Sequence, residues 1–304
     1  MIQNIQYKGI KWINIVNPES KDIDHLRNNY PFHPLDLEDC LSRVQRPKID
    51  AYADYVFMIL HFPLYAKENK RLVTTEIDFF VGKDYLVTIH DGNLKPLKEL
   101  FASCVNSKQE TKKCLGEDAP HLLYNIVDIM VDYCFPITKK IYEELNIIDR
   151  EVFSQDMKHI VEDISRVRRN IVFFQTIVKP QIPLFNSLEQ GEVKLLNAEL
   201  TDYWGNILDH VKKVWDYLED YRELLNGLSD TVESLLTHRT NEIIKVLTLF
   251  SVIMLPLSLV AGIYGMNIAG LPFANHPLSL ILVSLLMGGI VLAMVVYFKI
   301  RRWF

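Results

Sequence analysis

Asn241, Thr248, Ser251, Leu255, Ser258 and Gly262 recur at spacings of seven, three, four, three and four, in a segment otherwise made of Leu, Ile, Val and Phe. Those spacings place them on one face of a helix. The same segment ends in Gly265-Met266-Asn267. Hydroxyls, a small residue and a neutral amide do not make an acid–base or nucleophilic centre. They can line a path for an ion. An unsatisfied hydroxyl facing lipid is costly, so the stripe must face other helices or water. One reading is close packing, with small residues at a helix contact and hydroxyls bonded back to their own helix. The other is a pore lining. Asn267 favours the pore, because it offers an amide oxygen without a charge. A ring of such amides suits a cation that keeps its water, as Mg²⁺ does. A carboxylate ring would hold the ion more tightly, and conduction requires release. Gly265 is expected to let the helix end and the backbone turn.

The elements that hold the stripe follow from charge. All 38 acidic residues lie at or before Glu242. Of 33 basic residues only Lys245, Lys299, Arg301 and Arg302 follow it, leaving 29 against 38 before it, a net charge of −9. Between Lys245 and Lys299 lie 53 residues without Asp, Glu, Lys or Arg. About 20 apolar residues span a bilayer as a helix, so the run holds two spans and a short connection. Val246–Tyr264 is the first span and Leu278–Phe298 the second. Basic residues abut the inner end of each, and the loop 268–277 has none. The positive-inside rule therefore places both termini in the cytoplasm of a multi-pass cell-membrane protein. The N-terminus, MIQNIQYKGI, has no apolar core of a signal peptide.

Ahead of the spans, Leu200, Trp204, Ile207, Val211, Val214, Leu218, Tyr221, Leu225, Leu228, Val232 and Leu235 alternate spacings of four and three. This heptad seam predicts a long helix with coiled-coil-like packing, or one packed lengthwise on its own domain. Gly205 and Gly227 are the glycines within it, and no proline intervenes before Pro256. One helix is therefore expected from near residue 195 into the membrane, about 90–100 Å long at 1.5 Å per residue. Earlier, Lys11–Val16 and Tyr55–Phe62 read as strands, and Glu76–Val81 and Tyr85–His90 as a hairpin around Gly82-Lys83-Asp84. His33–Leu41 reads as a short helix, with Pro34 in its first turn and Asp36, Glu38 and Asp39 near its positive end. Helical patterns dominate from Leu94, with Pro120 opening one helix and Pro136 kinking it. Strands followed by helices predict an α+β domain in αβα layers.

Other chemistries lack their residues. The chain has no HExxH, GxSxG, P-loop or glycine-rich dinucleotide loop, so neither an enzyme nor an organic cofactor is expected. No nucleic-acid partner is expected. Cys40, Cys104, Cys114 and Cys134 show no CxxC pairing and read as free buried thiols. A membrane-tethered scaffold would need neither the stripe nor Gly-Met-Asn.

Two stretches, Asn241–Asn267 and His33–Leu60 (with Gln45-Arg46-Pro47-Lys48), carry a resemblance to the CorA family of magnesium and cobalt transporters. Order and spacing fit over essentially the whole chain. The resemblance implies a funnel-shaped homopentamer in the lipid bilayer. Each protomer would have a cytosolic αβα domain (1–190), a stalk helix (191–245) and a pore-lining first span (246–267). An external loop (268–277), a peripheral second span (278–298) and a basic cytosolic tail (299–304) would complete it. It implies passive Mg²⁺ uptake, with Co²⁺ and Ni²⁺ as further substrates, driven by membrane potential. It also implies gating by cytosolic Mg²⁺ bound between protomers. Motif alignment adds Leu247 to the pore positions and gives Gly265, Met266 and Asn267 to the ion's external access. Sensing would fall to Glu38 and Asp39, with Asp128 partnering Glu38. The family's usual stalk aspartate opposite Asp39 is Asn206 here, and Asp209, one turn on, is the substitute. The loop 268–277 holds no carboxylate, so the mouth would rely on Asn267, Asn275 and backbone carbonyls. The alternative is a Zn²⁺ transporter of the related ZntB type. Soft-metal traffic would favour His or Cys along the path, and His276 is the sole candidate in the loop.

Overall fold

The structure is a computed structural model. It describes residues 2–42, 45–66, 68–153, 157–196, 198–266, 271–272, 277–301 and 303. Two units are distinguished, Met1–Ser229 and Asp230–Phe304.

The first unit is built on six strands: β1 (Ile2–Tyr7), β2 (Ile10–Val16), β3 (Lys48–Ala51), β4 (Val56–Ala66), β5 (Arg71–Val81) and β6 (Tyr85–His90). Their order in the sheet is β1-β2-β6-β5-β4-β3. Only β2 and β6 pair in parallel; the other pairs are antiparallel. Lys8 (φ 48°) and Gly9 (φ 91°) make the β1–β2 turn. Positive φ at both central residues is what a tight type I′ hairpin demands, and glycine meets it without strain. The expected β5–β6 hairpin closes with Gly82 N donating to Tyr85 O at 2.9 Å.

Alternation along the strands sorts side chains to two faces. Ile13, Ile15, Phe57, Ile59, Phe80, Val87 and Ile89 face α1 (Ser20–Asn29) and α2 (Pro34–Ser42), packing on Ile23, Leu26, Leu37 and Cys40. The opposite face meets α3 (Lys95–Asn106), α4 (Lys108–Leu115), α5 (Ala119–Asp132), α6 (Cys134–Glu151) and α7 (Met157–Val178). Trp12 packs edge-on to Phe101 there, and its indole donates to Thr88 Oγ1 at 3.0 Å. From α7, Asn170 Oδ1 accepts from Leu72 N at 3.1 Å. These are the expected αβα layers. Pro120 lies in the first turn of α5, and Pro136 follows a one-residue break at Tyr133 between α5 and α6. A short α8 (Ile182–Glu189) precedes the long helix.

That helix, α9 (Thr201–Tyr264), is continuous through Gly227 and Pro256. Its seam does not wait for another chain. Leu200, Trp204, Ile207, Val211, Val214, Leu218 and Leu225 are already buried, and Tyr221 is half-buried. Trp204 meets Tyr124 of α5 edge-on, Tyr221 stacks on Tyr142 of α6, and Gln175 of α7 donates to Glu219 at 2.7 Å. Lengthwise packing on its own domain thus accounts for the heptad spacing down to Leu225. Farther along, Leu228 and Leu235 are half-buried and Val232 is buried.

The second unit contains the rest of α9 and α10 (Ser279–Ile300). Both helices are long and apolar enough to cross a membrane, with peak mean hydropathies of 2.4 and 2.7. Almost none of either apolar window is buried within the chain, unlike the core helix of a water-soluble fold. The C-terminal end of α10 carries Tyr297 and Phe298 beside Lys299, with Arg301 and Trp303 just after it, and the Arg301 guanidinium lies 5.9 Å from the Tyr297 ring. Aromatic rings with snorkelling bases are suited to a membrane–water interface.

Candidate ion path and cation-sensing residues

On α9, the covered positions form one row: Lys245, Leu249, Ile253, Pro256, Leu257, Val260 and Tyr264. On α10 they are Ser279, Val283, Met287, Ile290, Val291, Met294 and Phe298. Each recurs every three or four residues, as two helices covering one another require. Among the described residues α10 is the only other helix of this unit. At about 100° per residue, Ser251, Leu255, Ser258 and Gly262 fall opposite the covered row of α9. All four are exposed, as are Asn241 and Leu247. Thr248 sits at the edge, half-covered. The sequence stripe therefore lies within the broad exposed part of α9, opposite its less exposed row. Val260, which the stripe excludes, lies on the covered row.

Two local features bear on what the stripe can do. Ser251 Oγ donates to Leu247 O at 2.8 Å, so this hydroxyl is satisfied by its own helix and keeps its lone pairs for an ion's water. Leu247 and Leu255, exposed by 63% and 72%, are bulky apolar positions on that side, as is Ile244 nearer the helix's entry to the apolar run. A ring of either leucine would form a hydrophobic constriction, which gates by dewetting.

Gly265 follows the end of α9 at Tyr264 and begins a turn, as expected. Its φ is not in the left-handed region. Gly265 N donates to Ala261 O at 2.9 Å and Met266 N to Ile263 O at 3.2 Å, a tightened last turn. A Cβ at Gly265 would meet Ala261 O at 3.0 Å. Glycine serves there for close approach, not for a left-handed cap. Met266 is exposed. Asn267, Asn275 and His276 lie outside the described residues.

The sensing candidates sit on three helices of the first unit. Glu38 and Asp39 are on α2, Asp128 on α5, and Asn206 and Asp209 on α9. Glu38, Asn206 and Asp209 are exposed; Asp39 and Asp128 are half-buried. Some of them are gathered. A side-chain hydrogen bond links Asn206 to Tyr124, whose hydroxyl also feels the Asp128 charge. His210 Nδ1 lies 3.3 Å from Asp132 Oδ1, one turn from Asp128. Burial, and then the Asp132 charge, push the Asp128 carboxyl above its ordinary range, while His210 pulls it down. Among the described residues no three His, Cys, Asp or Glu side chains converge to hold a metal ion within one chain.

Asp39 has a partner that sequence reasoning missed. Lys48 Nζ lies 2.9 Å from Asp39 Oδ2 and 2.8 Å from Asp50 Oδ2. Burial alone would lower the Lys48 pKa, but the two carboxylates outweigh it and raise it, so the lysine stays charged. Beneath, Asp36 is buried and accepts from Tyr55 and Tyr52 at 2.9 and 3.2 Å. It is a structural anchor of α2, whereas Glu38 and Asp39 point outward.

Residues 7–302 match the family described as "CorA-like Mg2+ transporter protein". The chain is 31% identical over 296 residues to a protein of Thermotoga maritima named cobalt/magnesium transport protein CorA, covering 96% of this chain and 83% of that one. It is also 31% identical over 304 residues to a putative metal ion transporter, YfjQ, of Bacillus subtilis, covering 96% and 89%. In structure it resembles the complete CorA magnesium transporter of Methanocaldococcus jannaschii, with a TM-score of 0.86. That likeness, at 23% identity over 99% of this chain and 94% of the other, concerns the fold.

Proposed function

Because the chain belongs to the CorA-like Mg²⁺ transporter family, we propose that it is a passive divalent-cation channel that takes up Mg²⁺, with Co²⁺ and Ni²⁺ as further substrates. One observation supports this reading: Ser251, Leu255, Ser258 and Gly262 are exposed on the side of α9 opposite its less exposed row of Leu249, Ile253, Pro256, Leu257 and Val260. A polar face left open by its own chain, on a helix that crosses the bilayer, needs water or copies of itself opposite. A homopentamer with α9 innermost and α10 outermost meets that need. Hydrated Mg²⁺ would meet Asn267 and the backbone at the outer mouth, then the hydroxyls of Ser258, Ser251 and Thr248, with Leu255 and Leu247 as gates.

In this reading 1–190 is the cytosolic domain, 191–245 the stalk, 246–267 and 278–298 the spans, 268–277 the external loop and 299–304 the cytosolic tail. Both termini lie in the cytoplasm. Cytosolic Mg²⁺ regulates by binding between protomers. Glu38 and Asp39 of one protomer meet Asp128, Asn206 or Asp209 of the next. Acidic surfaces repel when brought together, and a bound divalent ion relieves that repulsion in the closed assembly. The ion shifts the equilibrium only by its differential affinity for the two states. Asn206 contributes less attraction than an aspartate would, so more of the burden falls on Asp39.

The test is thiol accessibility in the full-length protein. All four native cysteines are buried in the first unit, so background labelling is low. Ser258→Cys and Ser251→Cys should react with a charged, water-soluble thiol reagent and lose flux on reaction. Phe250→Cys, off the stripe, should not react. Equal inertness of all three thiols in a transporting protein would refute the pore assignment.

A further inference from the structure

The sheet face that packs on α1 and α2 is apolar except at one end. There β4 and β5 present His61, Glu76 and Asp78, while α2 presents Cys40. With Thr75 and Asp91 these residues line a cavity of about 350 Å³. His61 and Glu76 are a cross-strand pair, Nε2 lying 3.0 Å from Oε2. Thr75 Oγ1 donates to Asp91 Oδ1 at 3.0 Å. Asp78 is only 3% exposed, and its Oδ1 meets no donor among the described residues. Its neighbours are Glu76 and the Cys40 thiol. Among the described residues the cavity's lining contains no Lys or Arg, its basic groups being His61 and His90.

A buried carboxylate is costly unless a cation or a proton offsets it. A proton shared between Asp78 and Glu76 would join the two carboxyls by one hydrogen bond and neutralise one charge, leaving the other facing only His61 and the Cys40 thiol. A cation with its own water supplies both the charge and the missing donor. We propose that this cavity is a binding site for a hydrated divalent cation of the Mg²⁺ class, held by Asp78 and Glu76. Mg²⁺ usually keeps several waters and touches one or two carboxylates. That fits the absence, among the described residues, of any three His, Cys, Asp or Glu converging on a bare ion. A tetrahedral zinc-type centre would need such convergence of three or four His, Cys, Asp or Glu ligands. Cys40 instead donates its thiol proton to Asp36 O at 3.1 Å. The site lies within a single chain, beneath the helix that carries Glu38 and Asp39. Its residues are therefore different from those of the pore stripe and from Glu38, Asp39, Asp128, Asn206 and Asp209.

Mn²⁺ shares the oxygen preference of Mg²⁺ and can be counted by its electron paramagnetic resonance. The test titrates Mn²⁺ into the full-length protein in detergent. The parent should bind one Mn²⁺ per chain more than Asp78→Asn, and Mg²⁺ should displace it. Glu76→Gln should weaken that site by about 10–100-fold, the cost typical of altering a metal's supporting carboxylate. Asp39→Ala should retain it. Asp78→Asn keeps the side-chain shape and removes a buried charge, and a chelator-treated melting temperature no lower than the parent's verifies its fold. Equal Mn²⁺ counts in the parent and the folded Asp78→Asn protein would overturn the proposal, leaving the cavity with a shared proton only. A site lost in Asp39→Ala and kept in Asp78→Asn would overturn it as well.

Discussion

Under the sensing role proposed for Asp39, Lys48 must compete with Mg²⁺ for that carboxylate. Its ammonium lies 2.9 Å from Asp39 Oδ2, and the two side chains are exposed by 34% and 21%. Any Mg²⁺ that approaches Asp39 must displace the lysine or tolerate its charge. Partly exposed ion pairs contribute about 0.2–1 kcal/mol. Lys48 is also held by Asp50 at 2.8 Å, so displacement from Asp39 alone costs no more than the upper figure. Each 1.4 kcal/mol is tenfold in affinity, so 1 kcal/mol is about fivefold. Lys48→Gln should therefore lower the cytosolic Mg²⁺ concentration for half-closure, by up to about fivefold, while Asp39→Ala raises it. The assay is channel current, or protection from proteolysis, titrated against cytosolic Mg²⁺. The sign is diagnostic, since a substitution that merely loosens the domain would raise the concentration needed. A Lys48→Gln midpoint equal to or above the parent's would refute the role given to Asp39.

Ser258→Leu should dry the path and reduce Mg²⁺ flux at least tenfold, since hydrophobic constrictions gate by dewetting, whereas Phe250→Leu should transport as the parent does; flux into liposomes decides. Trp204→Ala removes a side chain 1% exposed and should destabilise the first unit by about 3–5 kcal/mol, read from the midpoint of chemical unfolding. The Asp128 carboxyl is raised by burial first and by Asp132 second, so its proton is held more tightly in the folded state. That contribution to stability is present below the ordinary carboxylate range and lost as pH rises through the raised folded value. In chelator, Asp128→Asn should gain stability relative to the parent as pH rises from 4 to 7, measured by thermal unfolding.

The membrane half was the more legible in sequence. A run without charges fixes two spans, and the positions of Ser251, Ser258 and Gly262 fix the polar face, because helix periodicity is local. In the sheet, apolar density revealed β2, β4 and the β5–β6 hairpin. It did not reveal β1, whose IQNIQY has no clear alternation and is a strand through pairing with β2, nor the four-residue β3. The parallel β2–β6 pairing joins residues some 75 apart, which no local pattern encodes. Gly265 was read from its residue type as the end of the helix, which it is, but the close approach to Ala261 O that calls for glycine there shows only in the folded backbone. The Asp78 cavity did leave a signal in EIDFFV. Glu76 and Asp78, two apart in an otherwise apolar strand, must share a buried face. Lys48 lay in the Gln-Arg-Pro-Lys run, but its hold on Asp39 depends on the packing of α2 beside β3.

The central claim is that the open face of α9 conducts a hydrated divalent cation down its electrochemical gradient. Purified full-length protein in liposomes loaded with a Mg²⁺-sensitive dye, under an inside-negative potential, tests it most directly. The account predicts Mg²⁺ influx that follows the potential, ignores an imposed proton gradient, exceeds Zn²⁺ influx, and is abolished by Asn267→Ala in an intact assembly. Absence of Mg²⁺ influx through the assembled parent, or undiminished influx through Asn267→Ala, would contradict it.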